Sequence, residues 1–154
     1  MSTHDGIYSQ WFEVVYARLG ERIKDYLLPP PVFVSMQGEL IDLDLANGSL
    51  TIRFPVLESY LNPYGAMQGG MIAAAVDNTL GPLSVAVAPP NVTRTLEMKY
   101  SKPVTQETGC IIVQARLVER NDPRLFFEAR VTGPDGEKLA TCKAVHWIIV
   151  DQEP

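Results

Sequence analysis

Histidine and cysteine are scarce in this chain, two of each in 154 residues, and that scarcity removes several chemistries at once. His4 lies at the very start and His146 in the last strand-like run. A histidine-rich metal cluster is excluded by count, no metal is expected, and a Ser-His-Asp triad would have to be built on one of these two. His146 reads as a packed strand residue. Cys110 and Cys142 fall inside apolar strand-like runs with no CxxC spacing, so buried free thiols are expected rather than a bridge, which fits a reducing cytoplasm. Basic residues are also few. Thirteen Lys and Arg against 18 Asp and Glu leave a net charge of -5, which repels nucleic acid and anionic membranes, so neither is an expected partner. The start MSTHDGIYSQWFEVV lacks a basic segment followed by an apolar core, and no apolar window reaches the roughly 18 residues that span a bilayer. A soluble, unexported, cytoplasmic protein is expected.

What the chain does have is one domain's worth of core, 46% of its residues being hydrophobic. Ile7, Trp11, Val14, Val15, Leu19 and Ile23 recur at steps of three and four, predicting an amphipathic helix over residues 5–28. Pro29-Pro30-Pro31 stops it. From Val32 the period changes to two, with Leu40, Asp42 and Asp44 on one face and Ile41, Leu43 and Leu45 on the other. Asn47-Gly48 then predicts a hairpin into a second strand from Leu50 to Val56. Residues 69–80 differ, because Met71 to Val76 are apolar without interruption, predicting a helix buried on nearly all sides and bent or ended near Gly81 by Pro82. Four more strand-like runs follow: Val92 to Tyr100, Cys110 to Glu119, Leu125 to Thr132 and Lys138 to Val150. The simplest architecture for this order is α+β, an antiparallel sheet of about six strands with one helix across its concave face. Residues 1–31 form a helical extension and 32–150 the domain proper.

Two features in the middle of the chain carry chemistry. Asp77 follows six apolar residues on the buried helix, where its carboxylate is expected in a largely dry setting that an unpaired charge tolerates poorly. It reads either as a nucleophile or general base, or as a structural carboxylate held by backbone amides or by Arg94. Gln68-Gly69-Gly70 enters the same helix. The first amides of a helix have no internal partner, and a Gly-Gly entry lets an oxygen approach them, which is the physics of an oxyanion hole. The alternative is that both glycines satisfy a sharp turn. A phosphate loop is not matched in spacing or in lysine.

The run Asn62-Pro63-Tyr64-Gly65-Ala66-Met67-Gln68-Gly69-Gly70, with Asp77 nine positions after Gln68, resembles the PaaI-like, 4-hydroxybenzoyl-CoA thioesterase-like branch of the hotdog-fold acyl-CoA thioesterases. Thr93 to Pro103 is similar to the family's strand after the helix. The resemblance implies a hotdog fold and hydrolysis of an acyl-CoA by a homodimer or dimer of dimers, with no cofactor. Asp77 would attack the thioester or activate water, the Gly69 amide would hold the thioester oxygen, Asn62 would place the nucleophile or water, and Thr93 would assist across the site. Gly70, Tyr64, Asn78 and Thr95 are expected against the substrate. In the family the site lies between subunits, so Asp77 of one chain would meet Asn62 or Gln68 of another. The family's histidine is Gln68 here, which can donate a hydrogen bond but cannot titrate. That departure leaves a non-catalytic module binding an acyl-CoA or apolar acid as the competing reading.

Overall fold

Proline-rich breaks and turn residues divide the chain into the elements of the computed structural model, which describes residues 3–149, with side chains from residue 5. Helix α1, Thr3–Leu19, ends earlier than its apolar period predicts because Gly20 takes φ +57, and a 3-10 turn over Gly20–Asp25 follows. Instead of an extended start after the prolines, Pro31–Ser35 forms a short helix, α2; proline at the first helical position has no N–H to leave unpaired.

Strands β1 (Glu39–Asp44) and β2 (Ser49–Pro55) make the expected hairpin, with Asn47 N–H donating to Asp44 Oδ1 at 3.0 Å and Gly48 at φ +61. A bulge between Leu40 and Asp42 breaks the strict alternation, so Leu40 and Leu43 are both buried while Asp42 is exposed. Helix α3, Gly69–Val87, leads to β3 (Asn91–Tyr100), β4 (Cys110–Asn121), β5 (Arg124–Thr132) and β6 (Lys138–Ile148). The six strands form one antiparallel sheet in the order β1-β2-β4-β5-β6-β3, which leaves β3 as an edge strand. A sheet wrapping one long helix is the α+β architecture that the pattern of elements predicts.

Helix α3 does not end at Pro82. Gly81 lacks the Cβ that would clash with the proline ring, so the helix runs on for about one and a half more turns, to Val87. Helix α1 braces this second half: Trp11 Nε1 donates to the Pro82 carbonyl and Arg18 Nε to the Ala86 carbonyl, both at 2.9 Å. Trp11, Val15 and Leu19 belong to the same buried cluster as the sheet and α3. Ile72, Val76, Leu80 and Leu83 are buried on α3, each contributing about 1.5–3 kcal/mol of apolar transfer.

Two expectations about α3 are corrected. By length and composition it is long and apolar enough to cross a membrane, with a mean hydropathy of 1.3, because Asp77, Asn78 and Thr79 interrupt the apolar run without lowering its average enough; in this fold it is the core helix. It is also not covered all round. Gly70 and Asp77 are exposed and Ala73, Ala74 and Gly81 half-buried, a stripe of small residues left open in the single chain.

Candidate active site

Asp77 sits in the open stripe of α3, so its carboxylate is exposed rather than dry. The cause is topological: the edge strand β3 is the part of the sheet that faces it. Thr93 on β3 donates its hydroxyl to Asp77 Oδ1 at 2.9 Å. Among the described residues no ion pair joins Asp77 to Arg94, whose guanidinium lies 5.6 Å from the centre of the Trp147 ring.

Behind Thr93 lies His146, whose place in an apolar strand marks it in the sequence as a packing residue. Thr93 is paired with His146 across β3 and β6, and His146 Nε2 is 3.3 Å from Thr93 Oγ1. Its Nδ1 is 2.8 Å from Asn91 Oδ1, its ring is 4.9 Å from that of Phe127, and only 1% of it is exposed. A signal was present: alternation along β6 puts Cys142, Ala144 and His146 on one buried face, with His146 as its lone strongly polar member. Asn91 has no such signal, since only the β3–β6 register brings it to the ring.

The loop before α3 forms a second locus. Asn62 Oδ1 accepts the Tyr64 and Ala66 amides at 2.9 and 3.1 Å, and its own N–H donates to the Ala66 carbonyl at 2.7 Å, closing a turn in which Gly65 takes φ +76. Its carboxamide oxygen therefore shapes the loop. Gln68 is the N-cap of α3; its backbone N–H donates to the Tyr60 carbonyl at 2.7 Å, while its side chain is exposed and makes no cap bond. Among the described residues the Gly69 and Gly70 amides meet no acceptor, as expected for the first helical positions. Tyr100 Oη donates to the Gly69 carbonyl at 2.7 Å, and a Cβ at position 69 would lie 3.3 Å from Tyr100 Cζ, so glycine is what permits this approach. A Cβ at Gly70 would meet nothing within 4 Å, and Tyr64 is 94% exposed at the loop tip.

Two expected site residues are turned elsewhere. The Asn78 amide donates to the Ala74 carbonyl at 2.9 Å and to Met36 Sδ at 3.3 Å, one helical step round from Asp77. A bulge between Thr93 and Thr95 pairs Thr95 with Val145, so Thr95 joins an outer-face groove with Phe126 and Val145 and not the Asp77 side. A hollow of about 700 Å³ is likewise on the outer face among Glu97, Lys99, Arg116 and Arg130, and Asp77 does not line it.

No family model matches the sequence, and no curated protein matches it significantly. Solved structures do. A candidate thioesterase, a phenylacetic acid degradation-related protein of Ralstonia eutropha JMP134, is 25% identical over 85% of this chain and 99% of its own, with a TM-score of 0.74. PaaI from the phenylacetic acid degradation operon of Escherichia coli is 11% identical, covering 90% and 95%, with a TM-score of 0.75. The chain has the hotdog fold of the PaaI-like proteins. A hypothetical thioesterase of Streptococcus pneumoniae TIGR4, solved with coenzyme A, shares it at 16% identity, covering 85% and 99%, with a TM-score of 0.72.

In this hotdog domain the Asp77 charge is felt by its buried neighbours. Burial holds the His146 imidazole below its ordinary value, and Asp77 opposes this only in part. Burial, reinforced by Asp77, raises the Cys142 thiol to about 11. Cys142 is therefore a buried, protonated thiol. Among the described residues no three His, Cys, Asp or Glu side chains converge on a metal position.

Proposed function

We propose that this chain hydrolyses an acyl-CoA thioester as a homodimer, or a dimer of dimers, with Asp77 as nucleophile or general base and the Gly69 amide as oxyanion donor. The observation that carries the reading is that a carboxylate held by Thr93 and a pair of unpartnered amides stand on one helix, both open to an incoming group. The carboxylate either attacks the thioester carbon or takes a proton from water, and the amides receive the negative charge that develops on the carbonyl oxygen. Gln68, exposed beside them, has an amide to add as a second donor.

The two parts cannot serve one thioester within one chain. Eight residues of helix at 1.5 Å each separate Gly69 from Asp77 by about 12 Å, and the amide hydrogens point away from Asp77, out of the helix start. Attack needs the reacting atoms within about 3–3.5 Å. A second copy supplies the missing half, and the open stripe of α3 with the unpaired edge of β3 is the surface that it would cover. The R. eutropha protein and the CoA-bound S. pneumoniae protein support the thioester class.

The test is hydrolysis of short, long and aromatic acyl-CoAs, with free CoA followed chromatographically. Asp77→Asn is expected to lower turnover at least about a hundredfold while the fold persists. Gln68 in place of the family histidine favours one other reading, a module that holds an acyl-CoA or apolar acid without turning it over. Tight acyl-CoA binding without release of CoA by the wild type would identify that module.

A further inference from the structure

A buried imidazole stands behind the Asp77–Thr93 pair with one ring nitrogen committed and the other in conflict. Asn91 donates its amide hydrogen to the Pro89 carbonyl at 2.9 Å, so its oxygen is the atom that faces His146 Nδ1 at 2.8 Å. Nδ1 therefore carries the hydrogen, and in the neutral ring Nε2 is a bare acceptor. Nε2 lies 3.3 Å from Thr93 Oγ1, whose one hydrogen goes to Asp77 Oδ1 at 2.9 Å. Two acceptors thus compete for a single hydroxyl hydrogen, and one of them is sealed from water.

One added proton resolves the conflict in either of two ways. On the ring, Nε2 donates to Thr93, which donates to the carboxylate. On the carboxyl group, Asp77 donates to Thr93, which turns and donates to Nε2. Every member of the chain is satisfied in both arrangements.

We propose that His146 is a positioning residue that acts on Asp77 through Thr93, the three side chains holding one shared proton whose location sets the ionisation of the carboxylate. This rests on reading Asp77 as the reacting carboxylate. Turnover starts from the carboxylate and the neutral ring, and the proton that Asp77 takes from water becomes the shared one: it passes to Thr93 Oγ1 as the threonine hydrogen moves to Nε2, and the same path returns it to the departing thiolate. One N–H bond forms and later breaks, and no other reactant is needed.

The surroundings leave Asp77 as the charge that acts on the ring. From β3 the neighbours are neutral Thr93 and Asn91, with Arg94 turned onto Trp147. From β5 they are Leu125 and Phe127, and on β6 itself Ala144 and the protonated Cys142 share the ring's face. Asp77, from α3, raises the imidazole against the effect of burial.

Nitrogen-15 NMR of the histidine side chains tests this, with His146→Gln assigning the signals. The neutral ring is expected as the Nδ1–H tautomer. Its titration midpoint should fall by about 0.5 pH unit or more in Asp77→Asn, since removal of a negative charge disfavours the imidazolium. Thr93→Val should give a similar displacement and Thr93→Ser should restore the wild-type midpoint. An Nε2–H tautomer, or midpoints within about 0.1 unit in both Asp77→Asn and Thr93→Val, would overturn the proposal. In kinetics, His146→Gln is expected to lower kcat about tenfold with KM little changed, and to flatten the limb of the kcat–pH profile. Equal loss at every pH would mark a purely structural residue and overturn the proposal. The two readings fail separately: coupled NMR midpoints without CoA release sink the hydrolase and keep the shared proton, whereas turnover without coupling sinks the shared proton alone.

Discussion

If the Gly69 amide and Asp77 serve one thioester only across two chains, two inactive variants should repair each other. Asp77→Asn removes the carboxylate. Gly69→Pro removes the amide hydrogen and keeps the helix start: position 69 is the first of α3, where proline is favoured, and Gln68 before it has ψ 133, as a residue preceding proline requires. The added Cβ meets Tyr100 Cζ at 3.3 Å, so the half-exposed Tyr100, whose hydroxyl donates to the Gly69 carbonyl, has to give by a few tenths of an ångström. Each homodimer is expected to lose about a hundredfold or more in kcat. Mixed and refolded together at equal amounts, about half of the dimers pair one chain of each kind. In such a dimer one site has both defects and the other has neither, so one site in two works. The mixture should then recover about a quarter of wild-type activity, some twenty-fivefold above either parent. Recovery should follow the rate of subunit exchange, and a tandem affinity purification of mixed dimers should raise it to about half. A mixture that stays at the average of its parents while forming mixed dimers would refute the two-chain site and the 12 Å argument with it.

The pH dependence of stability carries a definite sign. Burial holds the folded His146 below its ordinary 6.5, so the unfolded chain binds more protons as the medium acidifies, and the imidazole's contribution is complete above about pH 6.5 and lost below it. Urea midpoints should fall between about pH 7 and pH 5, and less so in His146→Gln. Cys110 is partly exposed and Cys142 is buried with its thiol raised to about 11, so at mild alkaline pH a thiol reagent should label Cys110 well before Cys142. Asp77→Asn should bring the Cys142 value down, because a charge that opposes the thiolate is gone; mass spectrometry of the labelled peptides reads both effects. Gly38→Ala would place a Cβ 2.5 Å from Phe33 Cε2 and 2.8 Å from Phe54 Cε1. Phe54 is fully buried, so the chain should lose about 1–3 kcal/mol by urea unfolding, and a loss below about 0.5 would contradict the packing there.

Periodicity and turn chemistry already carried the order of elements, because each is a local property: the Asn47-Gly48 hairpin, the apolar run of α3 and the four later strands all lie where their residues predict. The spacing from Gln68 to Asp77 marked both halves of the proposed site on one helix. What local pattern could not carry is direction. Whether Ile41 counts as one residue or as a bulge decides which side of β1 is buried, and the bulge between Thr93 and Thr95 decides that only the first faces Asp77. Pro82 is a helix breaker by its own chemistry, yet α3 continues through it because Gly81 makes room and α1 supplies donors to the carbonyls beyond. The exposure of Asp77 follows from strand order, which places β3 at the edge. His146 and Asn91, 55 residues apart, meet because β3 pairs with β6. Sequence thus determined which residues form helices and strands, through propensity and spacing; tertiary structure alone decided which side chains face one another, because register and strand order are properties of the whole sheet.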